Sequence, residues 1–292
     1  MISISAAEIK PVKVFILAGQ SNMEGKGKID PLLNHQIKDK ETKDFFAHFH
    51  KNGEYIMRDD VWINYLDRHG ELTVGYGSPG CIGLELQFGH IIGDYYDEQV
   101  LLIKTAWGGK SIGRDFRPPS SRAPSNKVLD QLVVKMIERD YNNIIRKEWN
   151  KLKKHNPKIT RKEVEAESSA LFDEIRKVKK EEYHKQVVNS FGHFYRLMMN
   201  EIKTTLSELK TRFPKYDGQG YEIAGFIWFQ GWNDMYGDFP NEYAYNLENF
   251  IRDVRKELEV PNLPVAIGVM GQNGFKPAKG NMAIVKKAQF SM

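Results

Sequence analysis

The serine at position 21 stands where a nucleophile would be expected. It lies in the sequence GQSNM at residues 19–23, directly after the apolar run of residues 12–18. Reactive groups of open α/β sheets gather outside the carboxyl ends of the strands, and a glycine permits the tight turn that lifts a side chain clear of the sheet. A helix N-cap is the ordinary use of serine at such a place, so the neighbouring loops decide how Ser21 is interpreted.

Two further clusters follow apolar runs in the same way. The sequence WGGKS at residues 107–111 follows the run 100–106, and QGWND at residues 230–234 follows the run 224–229. If these runs are parallel strands, their carboxyl ends meet at one edge of a sheet, and the loops converge there. A hydroxyl beside glycine-rich and amide-bearing loops indicates acyl transfer.

Acyl transfer from an ester needs a hydroxyl nucleophile and N–H donors directed at the developing oxyanion. Ser21 would attack the ester, and its own backbone N–H would be the first donor. Gly109 would offer a second backbone N–H because it has no β-carbon to block close approach. The side-chain amide of Asn233 or of Gln230 would be the third donor. An ordinary turn at Gly109 and a helix cap at Asn233 remain open alternatives.

Side chains beside these loops are candidates for substrate binding. Trp107 and Trp232 lie within the loops and would stack on a sugar face, although tryptophan is more often a core residue. Arg117 would bind substrate or brace its own loop. A phosphate-binding loop is excluded because Gly19 and Gly25 enclose five residues, whereas that motif requires four.

The composition restricts the class of protein. The net charge of the 292 residues is +5, but residues 126–215 hold 21 Lys and Arg against 13 Asp and Glu, and the remainder holds 22 against 25. Cations set apart from the candidate loops argue against a nucleic-acid partner. The single cysteine, Cys81, excludes an internal disulfide and a thiolate zinc cluster. No apolar run approaches the roughly 20 residues that cross a membrane.

Four apolar runs predict buried parallel strands, at residues 12–18, 100–106, 224–229 and 265–270. Helical patterns lie between these runs, and such alternation predicts a doubly wound α/β sheet.

The apolar stripe of the helix before the second run consists of Leu84, Phe88, Ile91, Ile92 and Tyr95. Residues 126–189 differ from the rest because they are rich in Lys and Glu, and they predict a charged helical hairpin inserted in the domain. The sequence does not distinguish among three roles for this insertion: a solvated surface, a lid and an oligomer contact.

Four sequence blocks resemble the motifs of the SGNH hydrolase superfamily, in particular the sialate O-acetylesterase-like carbohydrate esterases, which include acetylxylan esterases. The blocks are LAGQSNM at residues 17–23, GLELQFG at 83–89, AWGGKS at 106–111 and WFQGWND at 228–234. The resemblance implies a three-layer α/β/α sandwich with a mostly parallel sheet. It also implies hydrolysis of O-acetyl groups on sugars without a metal or a cofactor.

The resemblance implies roles for individual residues. Ser21 would be the nucleophile, and Gly109 would belong to the oxyanion hole. Asn233 fits the superfamily's block and Gln230 fits the Gln-Gly pair of the subfamily, so both stay candidates for the third donor. Glu85, in the second block, is a candidate for substrate binding. Trp232 stands where many relatives carry glutamate. The contact that this glutamate makes in those relatives is therefore not assigned to Trp232.

The general base of the family has no counterpart in these blocks. It is a histidine, usually with an aspartate shortly before it, in a loop beyond the last strand and helix, whereas all eight histidines of this chain precede residue 224. The domain of residues 9–292 therefore looks as if it lacks that C-terminal segment, and it is inactive as written unless another group serves as the base, because serine without a base is a poor nucleophile. Truncation of a longer enzyme, recruitment of an upstream histidine and a natural pseudoenzyme are the open explanations.

These observations favour a carbohydrate O-acetylesterase that acts through an acyl-enzyme on Ser21. The alternatives are a non-catalytic glycan-binding module that stacks sugars on Trp107 and Trp232, and an interaction protein that works through its basic insertion. The expected partner is an acetylated carbohydrate, with neither nucleic acid nor membrane, and the sequence predicts no oligomeric state. Residues 5–8 resemble the end of a cleaved export signal, which predicts an extracytoplasmic protein whose signal is not intact in this chain.

Overall fold

A computed structural model describes residues 10–272, 274 and 276–292 of the chain. These residues form two compact units. The first unit consists of the described residues up to Ser121 together with Phe194–Met292, and the second unit is Arg122–His193. Residues 5–8, the predicted end of an export signal, lie outside the described residues. Within the described part of the chain, no helix combines the length and the apolar character that crossing a membrane demands.

The first unit contains a six-stranded sheet. Its strands are β1 (Val12–Gly19), β2 (Arg58–Tyr65), β3 (Arg68–Leu72), β4 (Val100–Ala106), β5 (Tyr221–Phe229) and β6 (Val265–Ile267). They lie in the order β6-β5-β1-β4-β2-β3 and are parallel except for the antiparallel pair of β2 and β3. The three strands that precede the candidate loops are therefore adjacent, with β1 in the middle.

Seven longer helices follow along the described chain: α1 (Leu84–Tyr95), α2 (Asn126–Lys153), α3 (Arg161–Glu167), α4 (Ser169–Ser190), α5 (His193–Ser207), α6 (Phe239–Glu257) and α7 (Gly280–Phe290). Shorter helical segments occur at Ser21–Glu24, Ile29–Pro31, Leu32–Gln36, Lys43–Phe46, Ala47–Phe49, Leu209–Arg212 and Trp232–Asp234. Two small strand pairs join Gly27–Lys28 to Cys81–Ile82 and His50–Lys51 to Glu54–Tyr55.

Helices cover both faces of the sheet. Helix α1 packs on the face that carries Leu17 and Leu102, and helices α5, α6 and α7 pack on the face that carries Ile16 and Leu101. Successive residues of a strand point to opposite faces, so β4, which is covered on both sides, is buried at every position. The predicted α/β sandwich of three layers with a mostly parallel sheet is confirmed.

The hairpin of β2 and β3 is absent from the predicted strands. Strand β2 begins with three charged residues, 58–60, and its buried half contains Asn64, so it lacks a continuous apolar run. The buried Asn64 side chain donates to Glu201 Oε1 at 2.8 Å and accepts from Arg212 Nη1 at 2.6 Å. Partners distant in sequence therefore satisfy a polar residue that the local pattern marks as unsuitable for a buried strand.

The predicted apolar stripe of α1 is partly wrong. Leu84, Phe88 and Ile92 pack on the core, but Ile91 is 57% exposed and Tyr95 is 76% exposed. Glycines occupy the buried face of the helix instead. A β-carbon at position 89 would lie 2.1 Å from Leu72 Cδ2, and one at position 93 would lie 2.6 Å from Val61 Cγ2. Helix α1 therefore approaches the sheet more closely than an apolar stripe would allow.

The second unit contains the predicted charged insertion and consists of three helices rather than a two-helix hairpin. Helices α2 and α4 pack through a core of their own, formed by Leu129, Val133, Ile137, Ile175, Tyr183, Val187 and Phe191. The short helix α3 begins after Thr160, whose side chain accepts from the Glu163 N–H while its own N–H donates to the Glu163 carboxylate at 2.7 Å. This reciprocal cap fixes the start of α3.

A buried ion pair links β4 to α1 beneath the candidate loops. The Lys104 side chain is 0% exposed and the Glu85 side chain is 1% exposed. Lys104 Nζ donates to Glu85 Oε2 at 2.6 Å, to Glu24 O at 2.8 Å and to Tyr76 O at 2.7 Å. All three ammonium hydrogens therefore have acceptors, and one of these acceptors closes the short helix that begins at Ser21.

We expect Glu85→Gln to lower the free energy of unfolding by about 3–5 kcal/mol, because it leaves the Lys104 charge buried without its anion. The double variant with Lys104→Met and Glu85→Leu should recover only part of that loss, since Glu24 O and Tyr76 O then lose their donor. Urea unfolding followed by tryptophan fluorescence measures both changes.

Glu248→Gln is the matched control for this prediction. Glu248 pairs with Arg252 at 2.7 Å, but both side chains are at least 60% exposed, and exposed pairs stabilise proteins little. Equal losses for Glu85→Gln and Glu248→Gln would contradict the assignment of Lys104 and Glu85 as a buried structural pair.

Candidate active site

Ser21 lies where three strand ends are held together. Strand β1 ends at Gly19, whose carbonyl accepts from Trp107 N at 3.2 Å, and Gln20 N donates to Phe229 O at 3.2 Å. A β-carbon at position 19 would lie only 2.2 Å from Phe229 O, so only glycine permits this approach. The loops after β1, β4 and β5 therefore converge at one edge of the sheet around Ser21.

Ser21 is the first residue of the short helix Ser21–Glu24, and Gln20 rather than Ser21 occupies the N-cap. The serine is half-buried, while Asn22, Gly108 and Gly109 around it are exposed. The first N–H groups of a helix have no acceptors within the helix. The backbone N–H of Ser21 therefore lies at an anion-accepting end of this helical turn, next to its own hydroxyl.

The backbone of Gly108 lies close to Ser21 and Glu24. A β-carbon at position 108 would lie 3.9 Å from Ser21 Cβ and 2.9 Å from Glu24 Oε2. Burial by itself would raise the pKa of Glu24, but hydrogen bonds from Lys26, Ser78 and the Gly108 backbone outweigh it and hold that pKa below its ordinary value. Glu24 is therefore an anion that fixes the loop after β4, and the Gly108 N–H is already engaged.

Gly109 adopts a left-handed backbone conformation, with φ of 71°. It is exposed, and a β-carbon there would meet no atom within 4 Å. Within the described residues, its N–H has no hydrogen-bond partner. Because Glu24 engages the N–H of Gly108, Gly109 carries the N–H of this glycine pair that remains available to a ligand.

The Gln20 side chain joins the loop that carries Ser21 to the loop after β5. Its Oε1 accepts from Gln230 Nε2 at 3.2 Å, from Gly231 N at 3.4 Å and from Asn233 N at 3.3 Å. Gln20 is 2% exposed. One buried oxygen thus sets the position of three residues of the third loop relative to the backbone that carries Ser21.

Asp234 joins the third loop to the loop after β4. Its carboxylate is fully buried and accepts from Ile112 N at 2.8 Å, from Gly113 N at 2.7 Å and from Gln230 Nε2 at 2.5 Å. Burial raises the pKa of Asp234 to about 7, and the three hydrogen bonds only partly offset that effect. Asp234 therefore titrates near neutral pH.

The two candidates for the third donor differ in their surroundings. Gln230 is 1% exposed, and its Nε2 also lies 2.9 Å from Lys110 O, so both amide hydrogens have acceptors within the loops. Asn233 is half-buried beside the exposed Trp232. The structure thus gives Gln230 the surroundings of a residue that holds the loops, while the side chain of Asn233 is in reach of solvent.

The predicted substrate-binding residues fall into two groups. Trp232 is 38% exposed, and Trp107 is half-buried with ring contacts to Phe116 and Phe194. Arg117 is 7% exposed and donates to Gly113 O at 2.7 Å and to Glu242 Oε2 at 2.9 Å. Arg117 was predicted either to bind substrate or to brace its own loop, and this geometry matches the second role.

The placement of Glu85 differs from its predicted role. It is 1% exposed, its Oε1 accepts from Gly83 N at 2.7 Å, and its Oε2 pairs with Lys104. A carboxylate enclosed in this way supports the backbone below the site rather than a substrate on its surface. Glu85 was identified from its sequence block, but its ion-pair partner Lys104 lies 19 positions further along the chain.

Gln20, Glu24, Lys104 and Asp234 are missing from the predicted site. Gln20, Glu24 and Asp234 lie within or directly beside the recognised blocks, so their proximity was a signal, but nothing in a sequence shows that their side chains bond to other loops. Lys104 stands inside an apolar run, and a charged residue there is itself a sign of a buried partner.

Two histidines of the first unit, His48 and His90, lie beside each other. His48 shares a hydrogen bond with Gln87 at 2.7 Å and packs beside Phe49 and His90. Burial lowers the pKa of His90 to about 4. Among the residues that the structure describes, no cluster of three or more His, Cys, Asp or Glu side chains could hold a metal ion.

A groove of about 770 Å³ lies away from these loops and is lined by Ile251, Arg255 and Val265 among other residues of α6 and β6.

Comparison with one solved structure supports the fold. The chain is similar to a protein of Arabidopsis thaliana, with 16% sequence identity, a TM-score of 0.51 and coverage of 96% of this chain and 81% of that one. It is also similar to a carbohydrate acetylesterase from Xanthomonas citri, with 12% identity, a TM-score of 0.47 and coverage of 96% of this chain and 46% of the other. No curated protein sequence matches the chain.

The sequence model of one protein family matches residues 11–160 and 177–292, and the unmatched stretch lies within the second unit. The matched part includes the ends of β1, β4 and β5 with their three loops. That family is described as carbohydrate esterase, sialic acid-specific acetylesterase. The chain therefore belongs to the family of sialic acid-specific acetylesterases among the carbohydrate esterases.

Proposed function

We propose that the protein hydrolyses acetyl esters of carbohydrates through an acyl-enzyme on Ser21. The observation that carries the proposal is the position of Ser21, half-buried at the end of β1, with the loops after β4 and β5 bonded to the two residues before it. Membership of a carbohydrate esterase family supports the substrate class.

In the proposed reaction, Ser21 Oγ attacks the acetyl carbonyl carbon while a general base removes the hydroxyl proton. The oxyanion intermediate then collapses, the bond between the carbonyl carbon and the sugar oxygen breaks, and that oxygen takes the proton. Water attacks the acetyl-serine in the same way and releases acetate. The resemblance implies a histidine as this base.

We assign the oxyanion donors to the N–H groups of Ser21 and Gly109 and to the side chain of Asn233. The first two lack partners within their own loops among the described residues. Asn233 is preferred to Gln230 because the amide of Gln230 is buried and already bonded to Gln20, Lys110 and Asp234.

Ser21→Ala should abolish the hydrolysis of p-nitrophenyl acetate and the appearance of an acetylated serine peptide in mass spectra, because it removes the nucleophile. Ser207→Ala, which changes an exposed serine of α5, is the matched control and should keep the activity of the unchanged chain. Turnover that survives Ser21→Ala would refute the proposal.

Asn233→Ala should lower kcat by about 10²–10³-fold with little change in KM, because a donor to the oxyanion acts in the transition state. Steady-state kinetics on p-nitrophenyl acetate measure both quantities. A loss confined to KM would mean that Asn233 binds the ground state and is not an oxyanion donor.

A glycan-binding protein without turnover is the second candidate function, because exposed aromatic rings lie beside the site. Trp232 is 38% exposed, and Tyr236 in the same loop is 58% exposed. Such faces are suited to stacking on a sugar. This candidate predicts that the unchanged chain and Ser21→Ala bind an acetylated oligosaccharide equally and that neither releases acetate.

Both candidates predict that Trp232→Ala weakens carbohydrate binding by about 2- to 10-fold, the range expected for one aromatic stacking contact. Calorimetric titration of Ser21→Ala with an acetylated oligosaccharide measures this effect without turnover. Tyr95→Ala is the control, since Tyr95 is an exposed aromatic residue on α1. An equal loss in both variants would exclude Trp232 as a specific platform.

A further inference from the structure

We propose that Asp234 is the positioning residue of the candidate active site, and that its ionised carboxylate holds the loop of Gly109 against the backbone of Ser21. This inference rests on the proposed function for its effect on catalysis. The hydrogen bonds on which it depends can be tested without any turnover.

Two of the three donors to the carboxylate are backbone N–H groups of the loop after β4. Ile112 N and Gly113 N lie 2.8 Å and 2.7 Å from its oxygens, and these residues follow Gly109 in the same loop. No side chain of the loop is involved, so the bonds act on the backbone itself. Asp115 reinforces the loop by accepting from Ser111 N at 2.9 Å.

A second chain of contacts leads from Asp234 to the nucleophile. Gln230 Nε2 donates to Asp234 Oδ2, and the same nitrogen lies 3.2 Å from Gln20 Oε1. Gln20 directly precedes Ser21. Asp234 thus contacts the loop of Gly109 directly and the loop of Ser21 through the buried Gln230 amide. A residue in this arrangement sets the distance between the two loops.

The ionised form is essential to this arrangement because every group that contacts the carboxylate is a donor. A proton on either oxygen would find no acceptor among these contacts, and the protonated oxygen would be a weaker acceptor for its N–H donor. Of the three donors, only the Gln230 amide can reverse its polarity, and its Oε1 has no partner among the described residues. Protonation therefore favours a turned Gln230 amide and loosens the link to Gln20.

The surroundings place this change near neutral pH. Burial raises the pKa of Asp234 to about 7, the bonds from Gln230, Gly113 and Ile112 lower it, and the nearby Asp115 raises it further. Tyr243 of α6 faces the same carboxylate, but burial holds the pKa of this phenol above its ordinary value, so it stays neutral across this range.

Asp234→Asn provides the test, because the amide has the shape of the carboxylate but can accept with only one of its two outer atoms. We expect kcat to fall by about 10²-fold well above the pKa of about 7, with KM nearly unchanged, since misplaced reacting groups cost this much. Well below that pKa the unchanged chain also carries a neutral group, so the ratio of the two kcat values should approach one.

Asp253→Asn is the matched control. Asp253 is also buried, at 8% exposure, and its carboxylate accepts from Ser120 N at 2.8 Å, but it lies on α6 and bonds the chain well beyond Gly109 and Gly113. The ratio of kcat for Asp253→Asn to kcat for the unchanged chain should be independent of pH. A pH-independent ratio for Asp234→Asn as well would overturn the role of the ionised carboxylate.

Amide hydrogen exchange provides the readout that does not require catalysis. Exchange at Ile112 and Gly113 should accelerate by about 10- to 100-fold in Asp234→Asn, the range for a lost bond to a charged acceptor. In the unchanged chain, protection of the same two amides should weaken as pH falls through about 7, after correction for intrinsic exchange. The pH dependence of protection in the unchanged chain provides the test if Asp234→Asn does not fold. Protection that does not change with pH would overturn the proposal.

The two proposals fail separately. If the unchanged chain and Ser21→Ala show the same hydrolysis, the proposed esterase function is wrong, while exchange at Ile112 and Gly113 still decides whether Asp234 positions the loop. If hydrolysis depends on Ser21 but neither exchange nor the kcat ratio responds to Asp234, only the positioning role is wrong.

Discussion

The close approach of the backbone at Gly19 to the carbonyl of Phe229 is the constraint on which the candidate site depends. Strands β1 and β5 run parallel and side by side, and a side chain at position 19 would collide with that carbonyl at 2.2 Å. Because position 19 has none, Gln20 N can reach Phe229 O and the Gln20 side chain can reach the loop after β5. Ser21 inherits its position from these contacts.

Buried carboxylates and amides fix the loops around this contact. Glu24 engages the N–H of Gly108, Asp234 engages two N–H groups after Gly109, and Glu85 neutralises the lysine that holds Glu24 O. Each of these anions accepts hydrogen bonds from neighbouring groups of the protein. The loops owe their shape to polar groups that are enclosed, which is how rigid sites are generally supported.

Much of the fold could be predicted because its central strands carry a simple signal. Strands β1, β4 and β5 are covered on both faces, so their sequences are apolar without interruption, and the loops that follow them contain the recognised blocks. The hairpin of β2 and β3 escaped prediction because Asn64 is satisfied by Glu201 and Arg212, far away in sequence.

The candidate site was harder to predict than the sheet. Motif blocks identify which residues lie near the loops, but they do not distinguish a side chain that faces solvent from one that faces another loop. Gln230 and Glu85 both belong to such blocks, and both have buried partners. The face of α1 was partly misassigned for a related reason: Gly89 and Gly93 pack against the sheet and have no apolar side chain that would mark this contact in the sequence.

The raised pKa of Asp234 also has a thermodynamic consequence for the whole molecule. The unfolded chain binds this proton with a pKa near 3.8, whereas the folded chain binds it with a pKa of about 7. Stability from this group is therefore greatest at acid pH and declines as pH rises between those two values, then stays constant. The ionised form that the proposed positioning role requires is therefore the form in which the folded chain is less stable, a trade-off commonly found where activity and stability compete.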